Sequence, residues 1–241
     1  MLEKTRAVVL HSFRYGESKM IVDMLTPTFG RMSCIAAVSK GPHGKLKKQY
    51  FQPLSILETM IDMRPRTRLH TMKEARIDVP FASIPFDPLK LSTAMFTAEF
   101  LRAATRRELS DELTFAYTEN SIRWLDGCKG NFANFHLVFM TRMTKFFGFY
   151  PNLDHYVPGC RFDLRAACFC TDMPLHTDCL PPDEAARMNV LLRMNYPTMH
   201  LFRMTREERN HTTDVILRYY EIHMPGFPEL KSLPVLKELF V

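Results

Sequence analysis

Short apolar runs separated by Gly and Pro occupy the first third of the chain, and a helical apolar period occupies the rest. Residues 5–15 (TRAVVLHSFRY) centre on a Val-Val-Leu run and break at Tyr15-Gly16. Residues 19–26 (KMIVDMLT) stop at Pro27, and Phe29-Gly30 turns the chain into RMSCIAAVSK. LSILETMIDM and LHTMKEARI complete five segments rich in β-branched or apolar residues, a string that predicts a small sheet closed on itself. A five-stranded, partly open OB-type barrel has this size and strand count, and an SH3-like barrel would give a similar string.

Pro80, Pro85 and Pro88 mark the change of texture. Proline offers no backbone donor and favours extended connections, so the domain boundary is expected here, with residues 1–80 before it and 81–241 after it. Beyond it, Leu91, Met95, Phe96, Ala98, Phe100 and Leu101 share one broad face of a helix predicted over 89–109. Asp111 is placed to cap a second helix through Phe115, Ile122, Trp124 and Leu125, ending near Gly127. A third is predicted over 132–147, where Phe132, Phe135, Phe139 and Met143 form a core stripe. Irregular sequence runs over about 150–182, followed by helices at 183–195 and 205–223 and a short one after Ser232. Within the irregular stretch, Phe162-Asp163-Leu164 and Cys168-Phe169-Cys170 alternate like a small hairpin that puts both thiols on one strand face. The expected class is α+β, a five-stranded barrel followed by an all-helical C-terminal domain with a small irregular hairpin insert.

Charge changes the picture. The chain of 241 residues has a net charge of +6, and residues 1–80 hold 14 Lys/Arg against 7 Asp/Glu, so the whole positive excess lies in the first third. A field concentrated in that way draws a polyanion to one module and leaves the remainder for proteins. The densest segment is Ser39-Lys40-Gly41-Pro42-His43-Gly44-Lys45-Leu46-Lys47-Lys48-Gln49. Gly allows close backbone approach, so Lys40, Lys45, Lys47 and Lys48 could meet phosphates together, although an ordinary solvated loop would carry the same residues. It is not a nucleotide-binding P-loop, because Leu46 stands where a magnesium-holding hydroxyl should be. With Arg14, Lys19 and Arg31 on the same small module, a DNA-phosphate face is the favoured reading. Phe13, Tyr15, Tyr50 and Phe51 lie near that face, where rings could stack on bases, but burial in the core is the commoner use of a strand aromatic.

The chemistry of catalysis is not visible. The nine histidines form no metal or catalytic pattern, and neither His-Glu-x-x-His nor Gly-x-Ser-x-Gly occurs. His223 is expected to be a helix-end cap or a surface residue. The N-terminus lacks the apolar core and cleavage site of a signal peptide, and no run approaches the roughly 18 apolar residues that span a bilayer, so no membrane role and a cytoplasmic location are expected.

Several ordered motifs resemble the RecO family of bacterial DNA repair proteins. They are Tyr15-Gly16-Glu17-Ser18, Ile21-Val22, Leu25-Thr26 and Gly30-Arg31-Met32-Ser33, then Lys40-Gly41, Lys45-Leu46-Lys47 and Gln52-Pro53-Leu54. Near the end come Tyr219-Tyr220, His223 and Leu230-Lys231-Ser232-Leu233. The resemblance implies an OB fold followed by a helical domain. It also implies a non-enzymatic recombination mediator, associated with the nucleoid, that binds single- and double-stranded DNA and anneals complementary strands. Such a protein helps a recombinase load onto strands coated by single-stranded-DNA-binding protein, acting with RecR and usually RecF. The acidic tail of the coating protein is the expected partner of the helical domain, with Arg102, Arg106 and Lys231 as rim candidates. A scaffold whose basic barrel binds an acidic protein instead of DNA is the alternative.

Many relatives implied by this resemblance carry zinc on two Cys-x2-Cys pairs. Here Cys160, Cys168, Cys170 and Cys179 are separated by seven, one and eight residues, a poor match to a zinc knuckle. A metal-free hairpin is the favoured reading, with zinc on these four thiols the alternative and no other cofactor expected.

Overall fold

The computed structural model describes residues 1–38, 46–64, 67–105 and 111–240. The five apolar segments become β1 (Leu2–Tyr15), β2 (Lys19–Thr26), β3 (Gly30–Ala37), β4 (Ile56–Asp62) and β5 (Leu69–Val79). They close in the order β1-β2-β3-β5-β4, an OB-type arrangement. The non-sequential step is a parallel pairing of β3 with β5, from Ser33↔Leu69 to Ala36↔Met72, while β1 and β4 run antiparallel from Leu2↔Asp62 to Val8↔Ile56. Alternation sets the two faces: Met20, Val22 and Met24 of β2 and Met32, Cys34 and Ala36 of β3 fill the interior. A 3-10 turn at Lys48–Phe51 drops Phe51 into the same core.

Two compact units form. The first comprises Met1–Gly127 with Leu230–Leu239, so α1 (Pro88–Ala104), α2 (Glu112–Gly127) and α6 (Leu233–Glu238) belong with the barrel. Asp87 caps α1 by accepting from the Leu89 and Lys90 N–H groups, with Pro88 in the first turn. Asp111 does the same for α2, accepting from Leu113 at 2.9 Å. The proline-rich joint is fixed by Asp126, which accepts the N–H groups of Ala82, Ser83 and Ile84 at 2.8, 2.8 and 2.9 Å. Arg6 of β1 bonds Asp78 of β5 and Glu119 of α2, tying that helix to the barrel wall. Any helical continuation from 106 to 109 lies outside the described residues.

The second unit comprises Cys128–Glu229 with the end of the chain. It contains α3 (Phe135–Phe146), α4 (Pro182–Arg193) and α5 (Arg206–His223). The expected stripe on α3 is core, with Phe135, Phe139 and Met143 fully buried. A capping box starts α5, where Thr205 and Glu208 satisfy each other's backbone N–H groups. The expected hairpin is present as β6 (Arg161–Asp163) and β7 (Cys168–Cys170), and a third strand, β8 (Cys179–Leu180), pairs on the other edge of β6. Two residues leave too short an alternation for sequence reading to find. His223 departs from the expectation of a simple cap or surface group. Its Nε2 lies 2.8 Å from the Leu164 carbonyl and its ring stacks on Phe149 at 5.3 Å between centroids.

Candidate nucleic-acid interface

A groove of about 1870 Å³ runs along the first unit. One wall comes from β1, the β1–β2 turn and the 3-10 turn; the other comes from α1 and α6. The barrel wall supplies Arg14, Lys19, Lys47 and Lys48, and the helical wall supplies Arg102 and Lys231. Two carboxylates, Glu17 and Glu99, also line it. Glu99 is already engaged by the backbone N–H of Lys231 at 3.0 Å and of Ser232 at 2.8 Å, and by the Ser232 hydroxyl. Burial acts to raise the Glu99 pKa, but these bonds outweigh it and hold the carboxyl below its usual range. The groove is therefore cationic.

The residues expected to meet phosphates separate in the structure. Arg14, Lys19, Lys47 and Lys48 come from three different segments and line one groove. The Arg14 guanidinium is steadied by the carbonyls of Gly16, at 3.0 Å, and Glu17, at 3.2 Å; Gly16 at φ +72° lets the turn bring those oxygens round. Arg31 is placed elsewhere: it donates to the Arg102 carbonyl at 2.8 Å and lies 3.9 Å from Asp23, bridging β3 to α1. Lys40, Lys45 and Arg106 lie outside the described residues. Arg102 and Lys231, expected to serve a protein partner, line the same groove as the DNA candidates.

Aromatic residues are sorted by a β-bulge. Pairing of β1 with β2 slips between Val9 and His11, so Val9 faces Met24 in the core while His11 faces Asp23 outside it. Beyond the slip, Phe13 opposes Ile21 and Tyr15 opposes Lys19 on the outer face. Phe13 is 43% exposed and Tyr15 55%, whereas Phe51 is core and Tyr50 packs against it. Nothing in the apolar pattern of β1 marks the slip, because Val8, Val9 and Leu10 are all apolar and all buried. His11 also lines the groove. Burial, then the nearby Arg102 charge, lowers its pKa and favours the neutral imidazole.

Among the described residues, no three His, Cys, Asp or Glu side chains converge to hold an ion. Cys168 and Cys179 each oppose Asp163 from opposite sides of β6, and Cys160 is buried ahead of that strand. Burial, then neighbouring Cys179, and more weakly Asp163 and Cys168, push the Cys170 thiol up to about 11. Among the described residues no helix is long and apolar enough to cross a membrane.

Fold and groove together define an OB-type barrel protein with a helical body and a cation-lined cleft. The family described as recombination protein O N terminal matches residues 1–81, and recombination protein O C terminal matches residues 85–234. The chain is 50% identical over 240 residues to a DNA repair protein RecO of Phocaeicola vulgatus and 49% identical over 241 residues to one from Bacteroides fragilis. It is 33% identical to that of Christiangramia forsetii, and 100% of each chain is covered in all three pairs. The chain belongs to the RecO family of DNA repair proteins.

Proposed function

We propose that this chain is a non-enzymatic mediator of DNA repair that binds single- and double-stranded DNA, anneals complementary strands and promotes recombinase loading onto coated strands. The observation that carries this reading is the gathering of Arg14, Lys19, Lys47 and Lys48 in one groove. Cations from separate segments along a cleft follow a phosphate backbone better than one surface lysine run does. Neutralising phosphates lowers repulsion between two strands and raises their local concentration, so pairing accelerates without a covalent step. On this reading residues 1–80 are the DNA-binding module and the chain works in the cytoplasm, at the nucleoid.

The helical wall supports a protein partner in the same groove. Met95 and Val235 are exposed and line the groove together with Arg102 and Lys231, which suits an acidic peptide with apolar side chains, such as the tail of the coating protein. RecR and RecF are the further partners on this reading.

Strand annealing with complementary oligonucleotides, bare and coated, tests the proposal. The protein should accelerate both reactions, with no nuclease or ATPase activity. Failure to bind DNA at low salt, with retained binding of an acidic peptide, would favour a scaffold.

A further inference from the structure

The outer-face rings of β1 are unusual for where they sit. Phe13 and Tyr15 expose large aromatic surface beside cations, although water-facing rings usually stabilise nothing by themselves. A regular strand through Val9 would have turned both toward the barrel interior; the slip between Val9 and His11 turns them out. The rings are two residues apart on one strand face, a repeat of about 7 Å. His11 lies next in the same row, its ring centroid 5.7 Å from that of Phe13 at 41°, and supports one side of Phe13. Lys19 stands directly across from Tyr15, and Arg14, Lys47 and Lys48 line the groove with Phe13.

We infer that Phe13 and Tyr15 form a stacking subsite for successive unpaired nucleobases, with the neighbouring cations holding the phosphates between them. The surrounding charge selects the occupant: flat apolar faces among Lys and Arg match a strand that alternates π faces with anions. An apolar protein surface would leave those cations desolvated and unpaired. Duplex DNA gains nothing from the rings, since its bases are already stacked and only its phosphates reach the groove. The subsite therefore adds a preference for single strands to a groove whose cations alone accept either form. This inference rests on the DNA-binding reading above.

Binding of three labelled ligands of equal length separates the two ideas: an oligothymidylate, the same backbone with abasic sites, and a duplex. Wild-type protein should hold the oligothymidylate at least about fivefold more tightly than the abasic strand, the lower end of what one stacked base contributes. Phe13→Ala should lose about that factor on the oligothymidylate and little on the other two ligands. Phe13→Leu keeps apolar bulk without a π face and should behave like Phe13→Ala, which guards against a merely misfolded variant. Phe13→Trp should retain affinity and show fluorescence quenching on the base-bearing strand alone, beyond any change from Trp124. Equal affinity of the wild type for base-bearing and abasic strands overturns the stacking subsite and leaves the DNA-binding reading standing. So does an equal loss on all three ligands in both Phe13→Ala and Phe13→Leu. A protein that binds none of the three overturns both readings.

Discussion

Arg102 of α1 donates its Nε hydrogen to Asp23 of β2 at 2.8 Å, joining residues 79 apart in sequence. The same carboxylate accepts from Ser33 on β3 at 2.6 Å, so one nearly buried anion ties two strands and a helix together. It also keeps Arg102 at the groove, where a free side chain of that length would sample many positions.

Asp23→Ala should cost about 2 kcal/mol of stability, because it leaves the Ser33 hydroxyl and the Arg102 guanidinium without their acceptor. Denaturant melts would read this as a lower midpoint at unchanged slope. Affinity for DNA at fixed salt should rise or hold, since the substitution removes a negative charge beside a cationic cleft. A clear fall in affinity with the fold intact would mean that Arg102 must be held in its present place to serve the ligand.

Glu99 makes the join of α6 to α1 acid-sensitive. Its folded pKa lies below the unfolded value of about 4.3, so its contribution is fully present above that pH and disappears as pH falls through the lower folded value. Glu99→Gln removes this dependence. Urea melts from pH 7 to pH 3 should show a shallower acid decline in the variant, with the difference between the two proteins shrinking below about pH 4. Parallel curves for the two proteins at every pH would refute the assignment.

The groove cations should be countable by salt. Replacing Lys19, Lys47 and Lys48 together by alanine is expected to reduce the log–log slope of single-strand binding by about 2, at about 0.7 for each phosphate no longer neutralised. Arg31→Ala serves as the contrast. Arg31 is engaged with Asp23 and the Arg102 carbonyl, so its loss should lower stability and leave the slope nearly unchanged. Equal effects of the two variants on the slope would place Arg31 at the phosphates.

Metal content gives a direct check on the three-stranded sheet of the second unit. Protein purified without chelator and without a histidine tag should carry well under one equivalent of zinc, because among the described residues no three His, Cys, Asp or Glu side chains are grouped to hold an ion. Elemental analysis showing a full equivalent, lost together with Cys170→Ser, would require the thiols to rearrange around an ion.

Much of the architecture was legible because it depends on neighbours in sequence. The apolar run of KMIVDMLT, stopped by Pro27, marks β2 as a strand, and Asp87, Asp111 and Thr205 cap helices within three residues of themselves. The cationic excess of residues 1–80 is likewise a property of composition, so a polyanion-binding module could be read before any fold was known. What a lysine or arginine does with its charge could not. Arg31 and Lys19 look alike in sequence, yet one is engaged with Asp23 while the other stands in the cleft.

The sequence by itself determined the five barrel strands, the six helices of the described residues, the excess of positive charge and the family. Tertiary structure alone decided three things: the parallel closure of β3 on β5, the return of α6 to α1 through Glu99, and the slip that turns Phe13 and Tyr15 outward. The physical reason is common to all three. Local pattern specifies which residues prefer burial, but the partner that buries or exposes them is a distant segment. Only when the chain closes do Val9 and His11, two residues apart, find themselves on opposite sides of the same wall.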